Sequence, residues 1–244
     1  NVLKAIDRTR YDIVPIAITK SGRWLLQQLD DAAGAPASED GAEVALLPGG
    51  KGRLVAVSRD GTQPDLPPID VVFPVLHGPF GEDGSVQGYA EVADVAYVGC
   101  GILASAAAMD KVVAKRLMRE AGLAVARSAT VHRNGKHSFQ EIAGMLGLPF
   151  FAKPARQGSS FGVSKVNDRD GFEQAIDTAF RYDGKVLIEE FVEGREIEFS
   201  VLERADGSLT VSLPGEIIPA GKHGFYTYEA KYLDADGALV KVPA

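Results

Sequence analysis

Residues 77–88 read His77-Gly78-Pro79-Phe80-Gly81-Glu82-Asp83-Gly84-Ser85-Val86-Gln87-Gly88 and follow a largely apolar run, 69–76. The apolar run predicts a strand of a parallel sheet that is buried on both faces, and residues 86–93 predict a helix. Glycine permits tight turns and a close approach of the backbone to a bound molecule. Open α/β sheets hold ligands where a strand leads through such a loop into a helix N-terminus. The stretch therefore predicts a ligand-binding loop, and a glycine-rich turn with solvated charges is the alternative.

The composition is that of an ordinary globular protein. The 244 residues are 45% hydrophobic and 24% charged, with a formal net charge of −7, and the length fits one large domain or two small ones. The negative charge argues against a nucleic-acid partner, which requires a basic face. No apolar run approaches the ~18 residues of a membrane helix, so no membrane partner is expected. Cys100 is the only cysteine, and we predict that it is a small buried residue.

Both ends of the sequence predict interrupted structure. Residues 1–7 already have the pattern of an amphipathic helix, and neither an initiator methionine nor a signal-peptide pattern precedes them. Residues 239–244 predict a strand that runs into a turn. We therefore expect further elements before residue 1 and after residue 244.

A second unit is predicted to start near residue 103. A helix is expected from Asp110, a favourable N-cap, to Ala121, with Gly122 as its C-terminal stop. Lys111 then lies in the first turn, where the helix dipole disfavours a cation. This placement hints that Lys111 serves an anionic ligand, and a solvated lysine is the alternative. Residues 195–202 alternate apolar and polar side chains and predict a half-buried strand.

A polar loop is predicted between two strands at Lys153–Gly162. It lacks the Gly-Lys-Ser/Thr ending of a Walker A loop, yet its backbone N–H groups and hydroxyls can bind phosphate oxygens. Lys153 can add a point charge at the end of the first strand. An ordinary hairpin with polar turn residues is the alternative.

Two carboxylates, Glu189 and Glu190, end the strand predicted over residues 185–191. Adenine can be bound there by backbone groups and acidic side chains, and a solvated acidic rim is the alternative. The histidines show no metal-ligand spacing, and no Gly-x-Ser-x-Gly elbow supports a serine hydrolase.

Taken in order, these segments resemble the D-alanine–D-alanine ligases of the ATP-grasp superfamily. The family signature His-Gly-x-x-Gly-Glu-Asp-Gly-x-hydrophobic-Gln-Gly matches residues 77–88 throughout, and the resemblance covers nearly the whole chain. Further matching segments are Met109-Asp110-Lys111, 153–163 (Lys-Pro-Ala-Arg-Gln-Gly-Ser-Ser-Phe-Gly-Val), 187–190 (Leu-Ile-Glu-Glu), 194–196 (Gly-Arg-Glu) and 225–232 (Phe-Tyr-Thr-Tyr-Glu-Ala-Lys-Tyr).

The resemblance implies an α/β (α+β) fold. An N-terminal parallel-sheet domain that precedes the ATP-grasp region would span residues 1–103. Two ATP-grasp subdomains would follow, a central one over 104–186 and an incomplete C-terminal one over 187–244.

The resemblance also implies roles for individual residues. Lys111 and Lys153 would hold the ATP phosphates, and Lys231 would reach the γ-phosphate. The contacts to adenine, the hinge and ribose would come from Glu189, Glu190, Val192, Glu196 and Phe225. His77 would lie beside the first D-alanine, with Glu82 and Asp83 fixing the shape of its loop. Ser160 and Tyr232 would belong to segments that close over the substrates, and Ser159 competes with Ser160 for that role.

The implied function is ATP-dependent ligation of two D-alanine molecules through an acyl phosphate, in cytoplasmic peptidoglycan synthesis by a homodimer. The alternatives are a D-alanine–D-lactate or other ATP-grasp ligase, and a non-catalytic nucleotide-binding module. The family's Mg²⁺ or Mn²⁺ ligands and its N-terminal substrate glutamate have no match in this sequence, so we assign no metal ligand. We expect residues 1–244 alone to show little ligase activity, which a coupled phosphate-release assay would test.

Overall fold

The computed structural model describes residues 2–28, 41–57, 66–135, 137–220, 227–228, 233–234 and 236–244. The chain forms two compact units. The first unit contains Asn1–Val75 and Gly84–Ile102, and the second contains Leu76–Asp83 and Leu103–Ala244. The glycine-rich stretch therefore passes from the second unit to the first at Gly84.

Short paired strands and two helices build the described part of the first unit. Its elements are α1 (Val2–Ala5), β1 (Ile16–Ile18), β2 (Trp24–Leu26), β3 (Val44–Leu46), β4 (Leu54–Ala56), β5 (Val71–Val72), α2 (Ser85–Val92) and β6 (Ala96–Tyr97). The pairs β1–β2 and β3–β4 are antiparallel, whereas β5 and β6 are parallel. Apolar side chains of β3, β4 and α2 form its buried core, together with Ala93 and Val95.

The strand predicted over residues 69–76 is shorter and more exposed than expected. Only Val71 and Val72 pair with β6, and the pairing is parallel as predicted. Val71, Phe73 and Val75 are 44%, 55% and 63% exposed. Burial on both faces is therefore wrong, because among the described residues β5 has one short neighbouring strand. The prediction of a buried Cys100 is also wrong, since the residue is exposed beyond the end of β6.

The second unit contains the larger core. Its elements are α3 (Ile102–Met109, whose first residue belongs to the first unit), α4 (Lys111–Glu120), β7 (Ser128–His132), α5 (Phe139–Leu146), β8 (Phe150–Pro154), β9 (Ser164–Val166), α6 (Arg169–Phe180), β10 (Lys185–Glu190), β11 (Glu196–Glu198), β12 (Val201–Glu203), β13 (Leu209–Val211), β14 (Gly215–Pro219) and β15 (Ala238–Lys241). An antiparallel sheet of four strands has the order β7-β10-β8-β9. Strands β11, β14 and β15 form a separate sheet, and β12 pairs with β13.

The two faces of the four-stranded sheet have different chemistry. Because successive side chains of a strand point to opposite faces, Val186 and Ile188 of β10 reach the core formed with α5 and α6. Phe172 of α6 is fully buried in that core. Leu187 lies on the other face, where it packs with Val112 of α4. The second face therefore carries helix α4 and the polar end of β10.

The half-buried strand predicted over residues 195–202 is instead two short strands. β11 pairs with β14, whereas β12 pairs with β13, and both strands are exposed along their length. The break lies at Phe199 and Ser200, where the Ser200 N–H donates to Ser212 Oγ at 2.9 Å. The alternating pattern was correct for strand geometry, but two different pairing partners divide the segment.

No helix of the described chain is long and apolar enough to span a membrane. The longest, α6, has 12 residues, whereas a span needs about 20.

Candidate functional site

A carboxylate between two lysines marks the polar end of the four-stranded sheet. Glu189 of β10 accepts hydrogen bonds from Lys115 of α4 through Oε1 and from Lys153 of β8 through Oε2. The side chains of Lys115, Glu189 and Lys153 are 12%, 18% and 23% exposed. Burial tends to raise the pKa of the Glu189 carboxyl, but the charge of Lys153 and the hydrogen bonds from both lysines outweigh it and lower this pKa. Glu189 is therefore held as a carboxylate.

Lys111 lies next to this cluster at the start of α4. Its Nζ donates to the Gln157 carbonyl oxygen, and its backbone N–H donates to the Ala155 carbonyl oxygen at 3.0 Å. Burial, and then the positive charge of Lys153, lower the pKa of the Lys111 ammonium. Two partly buried cations that repel each other form a site that an anion would stabilise. Lys111 is therefore not the solvated lysine of the alternative, and an anionic ligand stays a prediction.

The N-terminus of α4 is fixed from two sides. Asp110 is the N-cap, as predicted, and accepts from the N–H groups of Val112 and Val113 at 3.1 and 3.3 Å. The same carboxylate pairs with Lys185 at the start of β10. These bonds set the position from which Lys111 and Lys115 project, since helix positions i and i+4 lie on one face.

A second buried carboxylate anchors the start of the polar loop. Asp183, whose side chain is 3% exposed, pairs with the Arg156 guanidinium. It also accepts from the backbone N–H of Arg156 at 2.8 Å and of Lys185 at 3.0 Å. Asp183 therefore joins the first residues of the loop to the first residues of β10.

The polar loop connects the antiparallel strands β8 and β9, as its sequence predicts. Ser159 and Ser160 have φ values of 52° and 61°, which are uncommon for residues other than glycine, and both are half-buried. Such left-handed residues turn successive N–H groups toward one side and can form an anion-binding concavity. Consecutive positive φ values also occur at the centre of type I′ hairpin turns, and here the Phe161 N–H donates to the Gly158 carbonyl oxygen at 3.1 Å across Ser159 and Ser160. The geometry therefore fits the hairpin-turn alternative as well as an anion-binding loop.

Gly162 ends this loop at a position where a side chain does not fit. Its φ is 68°, and an added Cβ would lie 2.7 Å from Tyr182 Cδ2 and 2.9 Å from Pro154 Cγ. We expect Gly162→Ala to lower the free energy of unfolding by about 1–2 kcal/mol, through backbone strain and crowding. Urea unfolding would measure this change. Gly144→Ala is the control, because its Cβ would meet open space, and an equal loss in both variants would contradict the prediction.

The signature loop is held by its own carboxylates. The Gly78 N–H donates to Glu82 Oε2 at 2.5 Å, and the Phe80 N–H donates to Asp83 Oδ2 at 2.9 Å. Glu82 and Asp83 thus fix the shape of the loop, as predicted. The loop also approaches the polar loop, because a Cβ on Gly158 would lie 3.6 Å from Glu82 Oε2. His77 is exposed at the start of the signature loop.

The residues after β10 form a more open edge. Glu190 accepts from the backbone N–H and Nε of Arg127 at 2.6 and 2.5 Å, and these bonds lower the pKa of its carboxyl. Val192 is 63% exposed, and Glu196 is exposed at the start of β11. Phe191, between Glu190 and Val192, lies under the Lys165 ammonium, 4.3 Å from the ring centroid.

Three predicted site residues, Phe225, Lys231 and Tyr232, lie outside the described residues. Tyr228, from the same segment, is described, and its ring centroid lies 4.4 Å from that of Phe161 in the polar loop. A residue of this aromatic and basic segment therefore contacts the loop that carries Ser159 and Ser160.

The structure brings Lys111, Lys153 and Glu189 together, although they come from three separate segments. Sequence reasoning missed Lys115, Arg127 and Asp183, which hold Glu189, Glu190 and the polar loop. The signal for Lys115 was its spacing of four residues from Lys111, which places both lysines on one helix face. The partners of Arg127 and Asp183 depend on tertiary packing and had no signal in the sequence.

Among the residues that the structure describes, no group of three or more His, Cys, Asp or Glu side chains is placed to hold a metal ion. The described residues therefore do not fit a metal site, and no step of a reaction is assigned to a metal.

Two family models match the chain. "D-ala D-ala ligase N-terminus" matches residues 1–100, and "D-ala D-ala ligase C-terminus" matches residues 117–244. Among curated proteins, the chain is 80% identical to D-alanine–D-alanine ligase A of Mesorhizobium japonicum and 50% identical to that of Brucella suis. In both comparisons the match covers 100% of the chain and 69% of the relative.

Solved structures of D-alanine ligases are also similar to the chain. The D-Ala:D-Ser ligase VanG from Enterococcus faecalis matches with a TM-score of 0.80 and 34% identity, over 100% of this chain and 70% of its own. The D-alanine–D-alanine ligase from Coxiella burnetii matches with a TM-score of 0.77 and 30% identity, over 88% of this chain and 64% of its own.

Proposed function

The chain belongs to the D-alanine–D-alanine ligase family, and from this premise we propose how its residues share the work of the reaction. The function is ATP-dependent ligation of two D-alanine molecules to D-alanyl-D-alanine for peptidoglycan synthesis. The carboxylate of one D-alanine attacks the γ-phosphate of ATP and forms an acyl phosphate, and ADP leaves. The amine of the second D-alanine then attacks the acyl carbon, and phosphate leaves. Proteins promote such phosphoryl transfer by positioning the reactants and neutralising charge.

Lys111 and Lys153 are the proposed phosphate ligands. The observation that carries this proposal is their placement at the polar loop, where burial and the charge of Lys153 lower the pKa of the Lys111 ammonium. A polyphosphate would relieve the repulsion between the two lysines. In this proposal the left-handed backbone at Ser159 and Ser160 would turn N–H groups of the same loop toward the phosphates. Lys231 is proposed as the γ-phosphate ligand on the resemblance alone.

Adenosine is proposed to bind along the end of β10 and the residues that follow it. Glu189 would accept from the adenine amino group, while Glu190 and Val192 would form the hinge. Glu196 would bind the ribose hydroxyls, and Phe225 would pack on adenine. Their order along one extended segment supports this assignment, because β10 ends at Glu190 and β11 begins at Glu196.

The amino-acid substrates are proposed to bind beside the signature loop. His77 would lie next to the first D-alanine, and Ser160 and Tyr232 would belong to the segments that close over both substrates. The approach of Gly158 to Glu82 supports this arrangement, because it places the signature loop against the loop proposed to hold phosphate.

Four finer statements complete the proposal. We propose cytoplasmic action, assembly as a homodimer, the use of Mg²⁺ or Mn²⁺, and the division of residues 104–244 into two ATP-grasp subdomains at residue 186. These statements rest on the family resemblance, and each can be tested on the purified protein or in the cell that makes it.

The test of function uses protein purified from the gene that contains this sequence. Incubation with ATP and D-alanine should yield ADP, phosphate and D-alanyl-D-alanine, identified by mass spectrometry. D-serine and D-lactate are then offered as second substrates, because one of the matching structures is a D-Ala:D-Ser ligase. A product that contains mainly D-serine or D-lactate would overturn the assignment to D-alanyl-D-alanine, and the absence of any ligated product would overturn the proposed function.

A further inference from the structure

Glu189 holds two cations at once, Lys115 and Lys153. Lys153 comes from β8, next to β10 in the sheet, whereas Lys115 comes from α4, which packs on the sheet face. Each lysine binds a different oxygen of the carboxylate. The family resemblance gave roles to Lys153 and Glu189 but none to Lys115.

This inference rests on the proposed function, in which phosphate binding by Lys153 changes the balance of charge in this cluster. When Lys153 turns to the phosphates, Glu189 loses one of its two cations. A carboxylate that is 18% exposed then needs its remaining partner to stay ionised. Lys115 is the cation that can remain.

The anchoring of α4 suits Lys115 to this task. Asp110 caps the helix and pairs with Lys185, and Val112 is buried against Leu187 of β10. The Lys115 side chain is 12% exposed. Its burial beside a second lysine, Lys111, is tolerated because Glu189 neutralises the charge of Lys115.

We propose that Lys115 is a positioning residue that selects adenine through Glu189. It holds the carboxylate ionised and aimed at the exocyclic amino group of the base, which leaves Lys153 available for phosphate. Adenine carries an amino donor at C6, whereas guanine carries a carbonyl acceptor there. A fixed carboxylate therefore accepts from adenine and repels guanine, so Lys115 contributes to the preference for ATP over GTP.

The experiment measures ATP and GTP dissociation constants by calorimetry for the unaltered protein and for Lys115→Met. We expect the ATP dissociation constant to rise about fivefold and the GTP dissociation constant to change by less than twofold. The ratio of the GTP to the ATP dissociation constant should therefore fall. Arg116→Met is the matched control, because it removes one positive charge from an exposed position of the same helix and should change neither constant. Lys115→Arg keeps the charge and should restore most of the ATP affinity.

A double-mutant cycle separates action through Glu189 from direct contact with phosphate. In a Glu189→Gln background, Lys115→Met should raise the ATP dissociation constant by less than twofold, because the carboxylate that Lys115 holds is gone. A further fivefold rise in that background would overturn the inference and make Lys115 a direct ligand. Equal losses of ATP and GTP affinity would also overturn it.

The ATP affinity of the unaltered protein separates this inference from the proposed function on which it rests. If that protein fails to bind ATP, the proposed function is wrong and the inference falls with it. If it binds ATP and Lys115→Met leaves both dissociation constants unchanged, the inference alone is wrong.

Discussion

Replacement of Asp183 by alanine is expected to lower the free energy of unfolding at neutral pH by about 3 kcal/mol. The carboxylate is 3% exposed and accepts hydrogen bonds from Arg156 and from the backbone N–H of Lys185. Its removal leaves two partly buried backbone N–H groups without their acceptor, and each such group costs about 1–3 kcal/mol. The Arg156 guanidinium, at 56% exposure, can return to water, which keeps the loss below that of a fully buried pair.

The measurement is chemical denaturation of Asp183→Ala beside Asp177→Ala, which removes an exposed carboxylate from α6. We expect the control to differ from the unaltered protein by less than about 0.5 kcal/mol. Equal stability of the two variants would show that Asp183 does not anchor the loop.

The contribution of Asp183 also depends on pH. Burial tends to raise the pKa of its carboxyl, but the hydrogen bonds from Arg156 and Lys185 outweigh it, so this pKa lies below the ordinary value of 3.8. A depressed pKa in the folded state stabilises the protein above the unfolded value and loses that effect as the pH falls through the folded value. The stability difference between the unaltered protein and Asp183→Asn should therefore be full above about pH 4 and shrink in more acidic solution. A difference that grows on acidification would contradict this assignment.

The sequence predicted secondary structure best where a local signal was strong. Asp110 as an N-cap and the helix that begins after it depend on a few neighbouring residues, and both are confirmed. The burial of residues 69–76 depends instead on how many strands lie beside them. A run of apolar residues does not indicate that number. The wrong prediction for Cys100 has the same cause, since a strand end is buried only if another element covers it.

The site could be predicted as segments but not as a cluster. The Gly-Ser loop, the acidic end of β10 and the lysine in the first turn of α4 were each visible in the sequence. The sequence could not show that Lys153 and Lys115 share Glu189, because these contacts span 36 and 74 residues of chain. The position of Lys111 in the first turn of α4 was an informative signal. The helix dipole disfavours a cation there, and the hydrogen bond from Lys111 to the polar loop holds its side chain in place.

Replacement of Lys153 by alanine should raise the ATP dissociation constant tenfold or more, equivalent to about 1.4 kcal/mol. The variant removes one of the two cations proposed to hold phosphate, whereas Glu189 keeps Lys115 as its partner. The charge of Glu189 therefore stays neutralised, and Lys153→Ala should weaken ATP binding more than it lowers the free energy of unfolding. Lys20→Ala, at an exposed turn of the first unit, is the matched control for loss of charge and should leave the ATP affinity unchanged.

Inorganic triphosphate distinguishes a phosphate ligand from a purely structural ion pair. A direct phosphate contact requires Lys153→Ala to weaken ATP and triphosphate by similar factors, because the missing ammonium acts on the part that both ligands share. If the Lys153–Glu189 pair is purely structural, Lys153→Ala should lower the free energy of unfolding and leave the triphosphate dissociation constant unchanged. That result would contradict the assignment of Lys153 as a phosphate ligand.

The Lys111 ammonium gives a second readout that needs no ligand. The positive charge of Lys153 lowers its pKa, so in Lys153→Ala this pKa should move upward, as measured by NMR titration of the lysine side chain. An unmoved pKa would mean that the two lysines do not share one anion site.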